Sequence, residues 1–397
     1  MSTLSVAVVG AGIGGLTAAL ALARRGLSVT LIERRTGFAE VGAGLQLSPN
    51  ASRILIDLGL GNALRRVVSA PDGVTIRALA SGRTIGAVAL GAHMRQRYEA
   101  PYWVVHRADL QRVLLDAVRS QPSVRLVMGR SVEDVTDGAD GVLLTMVTEG
   151  GARETLSADM LIGADGVWSK LRAHLGDSAP PTYRGVIAWR ATLPRSSAPA
   201  ELAGNRTGLW LGAGGHVVHY PIAGGTLVNV VAIEANPTPV EGWAAPGDPA
   251  ALLHHYRTGA PLLRALLRQP SEWLRWSLFD KPVGRMASGR VALLGDAAHP
   301  VLPFLAQGAA LAIEDADALA RLLPTESKAV GGALQAYEST RTGRVRRVQD
   351  EARRNGKIYH ASTLVAFARN QVMRSLGPER MTNRYDWLYG FKGDGSA

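Results

Sequence analysis

The stretch "VAVVGAGIGGLTAALALARRGLSVTLIE", residues 6–33, constrains this chain more than any other. An apolar run from Val6 to Val9 leads into Gly10, Gly12 and Gly15 at GxGxxG spacing. Small and apolar residues follow as far as Arg24-Arg25-Gly26, and a second apolar run ends on Glu33. This order predicts strand, tight turn, helix and strand of a parallel βαβ unit that binds a dinucleotide. Gly10 makes the turn, Gly12 lets a pyrophosphate approach the backbone, and Gly15 lets helix and strand pack closely. The start of the helix offers unpaired N–H groups and the positive end of a dipole to the phosphates. Glu33 is placed to accept hydrogen bonds from ribose hydroxyls, and its charge would repel a 2′-phosphate. The unit therefore points away from NADP and leaves NAD and FAD open.

Two further motifs narrow the ligand. "ADMLIGADGVWSKLR", 158–172, reads as a buried strand leading to Gly163, Asp165 and Gly166, then a helix opened by Ser169. "GRVALLGDAAHP", 289–300, reads as a second buried strand leading to Gly295-Asp296. An acidic side chain directly after a buried strand must be paired or wet. No second glycine fingerprint is present, so two such sites and one GxGxxG suit a long ligand, with a pyrophosphate and a ribityl chain between its ends.

GAGIGG with Glu33, the GADG of 163–166 and the GDAAHP of 295–300 resemble, in order and spacing, the three fingerprints of the single-component FAD-dependent aromatic hydroxylases, the p-hydroxybenzoate hydroxylase fold. The likeness runs from Val6 to the "WLYG" of 387–390 and is nearest to the salicylate, 3-hydroxybenzoate and 6-hydroxynicotinate branch. It implies an α/β fold: a Rossmann-like FAD-binding domain (1–70, 101–180 and 281–325), an inserted antiparallel β-sheet substrate domain (71–100 and 181–280) and a C-terminal helical segment (326–397) whose last residues fray. Alternating stretches such as "TGLWLG", "HVVHYPI" and "TLVNVVAI" independently read as strands of that sheet.

The resemblance also implies roles. Gly10, Gly12, Gly14, Gly15, Glu33 and Arg34 would hold the adenosine half of FAD. Gly44 and Leu45 would pass the flavin ring, and Arg107 and Asp165 would contact the cofactor. Gly295 and Asp296 would meet the ribityl chain, and Gln307-Gly308 would open a helix whose N–H groups face the pyrimidine end of the flavin. Pro303 would lie beside flavin and substrate, with His299 as a structural residue of the turn. By the period of a strand, His216, Val218 and Tyr220 share one face and His219 the other. A His and a Tyr four residues apart face the ligand in relatives of this branch, so His216 and Tyr220 are the expected catalytic pair. Gln46 and Phe304 are expected in the substrate pocket: Gln46 stands where a relative carries a histidine, and Phe304, where relatives carry a polar His or Gln, brings an apolar wall. Arg184 and Arg190 could pair with a carboxylate or serve as structural salt bridges.

The chemistry so implied is a monooxygenation. NAD(P)H, with NADH favoured, reduces FAD; O2 is captured as a flavin hydroperoxide, and one oxygen passes to an electron-rich ring. The substrate would be a small phenolic or heteroaromatic acid. The FAD fingerprints by themselves also admit a dehydrogenase or reductase that inserts no oxygen, or a flavin-binding protein without turnover.

Composition bounds the rest. With 397 residues, 47% hydrophobic and 19% charged, the chain is long and apolar enough for two packed cores. It has no cysteine, which excludes disulfides, thiolate metal sites and cysteine nucleophiles, and no metal site is expected. No apolar run reaches bilayer length and no leader precedes the first strand, so a cytoplasmic protein without stable membrane association is expected, as monomer or homodimer. The net charge of +11 raises nucleic acid as a partner. The densest arginines, at 341, 344, 346, 347, 353 and 354, fall on one predicted helix and read as a solvated face, so no nucleic-acid partner is expected.

Overall fold

The computed structural model describes residues 3–38, 44–242, 244–325 and 329–393. The glycine-rich unit forms as its pattern predicts: strand Ser5–Val9, helix Ile13–Arg24, strand Ser28–Glu33. These strands belong to a six-stranded sheet ordered Ala287–Ser288, Val291–Leu293, Met160–Gly163, Ser5–Val9, Ser28–Glu33, Val124–Met128, parallel except at the Ala287–Ser288 edge. Register carries functional weight here. Val9 pairs with Gly163 and Gly163 with Leu293, so the three fingerprints leave the sheet side by side at the carboxyl ends of their strands. In open parallel sheets that edge is where ligands bind.

Helix Ile13–Arg24 is buried on every side except at its last residue, which explains its run of alanine, leucine and glycine. A Cβ on Gly14 would lie 2.6 Å from Leu294 Cδ1 and 3.1 Å from Ala312 Cβ, so this glycine lets the Gly308–Leu322 helix approach. Gly14, expected at the cofactor, thus serves packing. The helix expected after Ser169 is only a 3-10 turn, Leu171–Leu175, in which the Ser169 hydroxyl accepts the Arg172 N–H at 3.3 Å.

The second layer is an eight-stranded sheet ordered Ala245–Gly247, Trp273–Asp280, Thr182–Pro194, Leu227–Ala235, Gly215–Ile222, Thr207–Gly212, Gly73–Ala78, Thr84–Ala89. Its pairings are antiparallel except between Thr207–Gly212 and Gly73–Ala78. One face buries Trp189, Trp210, Val217, Val230 and Ala232 against the short helices Pro249–His255 and Pro261–Leu267. The other face turns toward the six-stranded sheet, with Tyr220 and Ile222 in its core cluster. Between the two lies a small sheet, Gly44–Leu47, Trp103–His106 and Val68–Ser69, whose middle strand contacts Gly215–Ile222.

The C-terminal helix Val330–Tyr359 corrects the reading of a solvated face for two of its arginines, while Arg346, Arg347 and Arg354 are exposed as expected. Arg341 is wholly buried and Arg344 nearly so, each paired with Glu314 of the Gly308–Leu322 helix. Burying charge is tolerated only where it is matched, and here it ties the last segment of the chain to the ligand-side helix. Helices Thr363–Leu376 and Pro378–Asn383 then pack on strand Thr84–Ala89. The four final residues, expected to fray, lie outside the described residues. Among the described residues no helix is long and apolar enough to cross a membrane.

Candidate active site

The glycine turn is built to leave a space. Gly10 has φ +105°, which a side chain disfavours, and a Cβ there would sit 2.4 Å from the Ala164 carbonyl of the GADG loop. Gly12 differs: its backbone is extended, and an added Cβ would meet nothing within 4 Å. The helix it caps has neither a capping side chain nor an acidic residue in its first turn, so its N–H groups are free for an anion. Glu33 accepts the Ala11 N–H at 2.8 Å and the Arg35 N–H at 3.0 Å, and Gln111 donates to the Ala11 carbonyl at 2.9 Å. The exposed Arg34 follows it.

Beside this turn the two acidic loops meet. Asp296 is solvent-exposed although it lies deep in the molecule, so its carboxyl opens into a cleft. Burial raises its pKa, and His299, Arg107 and Arg172 work against that rise. Arg107, the first residue of helix Arg107–Arg119, opens into the same cleft, where burial lowers its pKa and Asp296 opposes the shift. Asp165 accepts the Lys170 N–H at 3.1 Å, while its buried Oδ1 has no protein partner. Arg172 clamps both loops, donating to the carbonyls of Ala297 at 2.8 Å and of Val167 and Asp296 at 3.1 Å.

The turn after Asp296 is held from behind. Asp315 accepts the Gly295 N–H at 2.9 Å, pairs with His299 Nε2 at 2.6 Å and receives Arg341 Nε at 2.7 Å. His299 is therefore a structural residue, as expected. Gln307 caps the next helix by position, and its amide donates to Ser48 Oγ at 2.9 Å and accepts from Asn50, which also donates to Glu314 at 2.6 Å. Gly308 starts that helix, and Pro303 begins a 3-10 turn in which it is exposed.

The eight-stranded sheet contributes a floor whose layout follows from register. Across the strands, Arg190 pairs with Val231 and Val231 with Val218, so Arg190 shares a face with His216, Val218 and Tyr220 and lies level with the middle of the three. Ala188 and Ile233 lie level with His216, and Asn229 with Tyr220. The floor is thus apolar with polar corners. His216 and Tyr220 are about 13 Å apart along the strand, so their side chains leave a gap between them rather than touch.

At the Tyr220 corner, Gly44 donates to Asn229 Oδ1 at 2.9 Å, and a Cβ on it would lie 2.5 Å from the Tyr220 ring. Leu45 and Gln46 follow on the same strand, with Gln46 accepting from the Tyr102 hydroxyl at 2.5 Å. Burial pushes the Tyr220 phenol up to about 12, against the pull of Arg190 and a hydrogen bond from Gln46. Arg190 stacks 3.6 Å over the Trp276 ring, and its buried Nε has no partner. Burial lowers its guanidinium to about 9, with Tyr220 opposing and Arg107 adding to the drop. Arg184, its rival for a carboxylate, is already paired with Asp280, which also receives Arg353 Nε at 2.8 Å.

At the His216 corner, Nδ1 lies 2.8 Å from Nε2 of His360, just beyond the C-terminal helix. Phe304 closes this end edge-on, 5.6 Å from the His216 ring and 5.7 Å from His360. It is the apolar wall expected at that position. His219 points to the opposite face, against Gly208 and Trp210, and neither of its nitrogens is partnered.

Residues 3–352 match the family described as FAD binding domain. The chain is 35% identical over 391 residues to a 3-hydroxybenzoate 6-hydroxylase of Polaromonas naphthalenivorans (strain CJ2), covering 98% of this chain and 96% of that one. It is 37% identical over 390 residues to a 3-amino-4-hydroxybenzoate 2-monooxygenase of Streptomyces cremeus, covering 98% and 95%. The chain belongs to the FAD-dependent aromatic hydroxylases. The fold agrees: the crystal structure of Klebsiella pneumoniae HpxO with FAD and uric acid superposes with a TM-score of 0.84 at 29% identity, over 96% of this chain and 95% of that one.

The residues of this FAD-dependent oxygenase fit the cofactor. The open space at Gly12, the uncapped helix start and the orphaned Asp165 oxygen lie along one edge, as a pyrophosphate and its polyol chain require. Asp296→Ala is expected to weaken FAD binding about tenfold to a hundredfold, the cost of losing a charge-assisted hydrogen bond. Visible absorbance per mole of purified protein checks this, and a fully loaded variant would remove Asp296 from the cofactor site. Local pattern did not disclose Gln111, Arg172, Asn229, Asp315 or His360. Of these only Asp315 carried a signal, as half of the acidic pair Glu314-Asp315 directly after the small and apolar start of its helix.

Proposed function

We propose that the chain hydroxylates a small phenolic or heteroaromatic ring bearing a carboxylate, with NADH or NADPH as reductant and O2 as co-substrate. Arg190 carries this reading: a deep, cationic guanidinium, stacked on Trp276, with an unpartnered Nε and no ion pair among the described residues. Planar bidentate pairing with a carboxylate would satisfy it. The names of the relatives agree, since they act on hydroxybenzoates and aminohydroxybenzoates.

Bound FAD supplies the redox and oxygen chemistry. The chain does the rest. Arg190 anchors the carboxylate, and the apolar floor of Val218, Val231 and Ile233 takes the ring. Phe304 and Trp276 keep water from the pocket. Tyr220, beside Gly44 and next to the expected flavin position, orients the ring by its hydroxyl. His216, neutral because burial and His360 hold its pKa well below the usual value, accepts the phenolic proton.

Anaerobic mixing of the holoenzyme with NADH or NADPH, with and without 3-hydroxybenzoate, 3-amino-4-hydroxybenzoate, salicylate and 6-hydroxynicotinate, tests this. One acid should accelerate flavin bleaching strongly, and its aerobic product should carry one oxygen from labelled O2. In Arg190→Gln the concentration of that acid needed for half-maximal effect should rise about a hundredfold. Product without labelled oxygen, or an unchanged dependence in the variant, would overturn the reading.

A further inference from the structure

We propose that His360 relays protons between the buried His216 and solvent, so that two imidazoles in series carry the phenolic proton of a bound substrate out of the pocket. The proposal rests on the reading that the substrate lies on the His216–Tyr220 face. His216 is 2% exposed, and among the described residues no carboxylate pairs with it to hold a proton. A proton left on it would be a buried, unpaired imidazolium.

The geometry offers one way out. His216 Nδ1 lies 2.8 Å from His360 Nε2, and among the described residues nothing bonds to His216 Nε2. His360 itself is half-buried, followed by the exposed Ser362 and Thr363. The neighbours of the pair bring no charge to compete for the proton. Phe304 and Tyr359 present ring edges, the Tyr256 hydroxyl is turned to the His216 carbonyl, and the facing strands offer Leu211 and Ile233. Arg369 donates to the carbonyls of Ile358 and Tyr359 and to neither ring. Burial lowers His360 to about 4, so near neutral pH both rings are uncharged, each with one N–H and one lone pair.

Such a pair moves a proton without storing it. The substrate O–H passes its proton to His216 Nε2, the Nδ1 proton of His216 passes to His360 Nε2, and the Nδ1 proton of His360 passes to water. The substrate is left as phenolate, water has gained the proton, and both rings are again neutral in the opposite tautomer. The reverse sequence resets them when product oxygen is reprotonated.

The test follows proton release in oxidised holoenzyme mixed without reductant with 3-hydroxybenzoate or 3-amino-4-hydroxybenzoate, in weak buffer with a pH-indicator dye and with the phenolate absorbance recorded in parallel. Wild type should release about one proton per site, and His216→Gln should abolish the release. His360→Gln should bind the probe yet slow release about tenfold or more, because an amide accepts or donates but does not exchange a proton. His360→Gly should be slow in the same way, and added imidazole should restore the rate in proportion to its concentration. Wild-type rates in both His360 variants, or a slow His360→Gly that imidazole does not restore, would overturn the relay while leaving the pocket assignment standing. Wild type that binds the probe with no proton release, and His216→Gln that binds it equally well, would overturn the pocket assignment and the relay together.

Discussion

Gly12→Val is expected to yield a folded, colourless protein. The backbone at Gly12 is extended, a conformation that a β-branched residue accepts, and no protein atom lies within 4 Å of the new Cβ. The apoprotein should therefore melt at the wild-type apoprotein temperature. What the isopropyl group does occupy is the space before the uncapped start of helix Ile13–Arg24, where a pyrophosphate must come against bare backbone. Overpacking costs about 1–3 kcal/mol or more, which is about tenfold to a hundredfold in affinity. Flavin absorbance per protein, with the thermal melt as control, decides it. Normal yellow protein would refute the loop as the pyrophosphate site. The contrast is Gly15→Val, which should fail to fold, since a Cβ there would lie 1.8 Å from the Gly10 carbonyl oxygen.

Asp315→Ala should be the most destabilising single truncation on the ligand side of the molecule. Removing one partner of a buried charge cluster leaves the others uncompensated, at a cost of about 3–5 kcal/mol. Here Arg341 would keep only Glu314, and Gly295 and His299 would lose their common acceptor. Because Gly295 opens the turn that presents Asp296, FAD affinity should fall with stability, and saturating FAD should recover part of the lost melting temperature. Acid gives a second reading of the same group. Burial pushes the Asp315 carboxyl up, but His299 and Arg341, with hydrogen bonds from His299 and the Gly295 N–H, outweigh it and hold the pKa at about 2. A carboxyl depressed in the folded state contributes stability above its unfolded pKa and loses it as pH falls toward the folded value. The wild type should thus lose stability between about pH 4 and pH 2. The Asp315→Ala protein should lack that part of the dependence, and an unchanged acid profile would show that this cluster does not govern it.

Much of the cofactor half was legible because its signals are local. A glycine that must turn, a helix start that must stay bare and an acidic residue at a strand end are each dictated by covalent geometry within a few residues. The same holds for the period-two stretches that put His216 and Tyr220 on one face and His219 on the other. Where local pattern misled, a distant partner had decided the outcome. Gly14 looked like one more residue of the phosphate turn, and it is small because Leu294 and Ala312 lie against it. Arg341 and Arg344 looked solvated, and they are buried because Glu314 and Asp315 come to meet them from another helix.

The amino-acid sequence by itself therefore determined the family and the parallel sheet with its three fingerprints, because these depend on backbone geometry at short range. Only the tertiary structure decided which of two arginines is left without an ion pair among the described residues. Arg184 and Arg190 are equivalent on paper, and the folded chain pairs the first with Asp280 while stacking the second on Trp276 with its Nε unpartnered. It also decided that His216 lies beside His360, a residue 144 positions away. The physical reason is the same in both cases: register across strands and the return of the C-terminal helix bring together groups whose pairing no local pattern encodes.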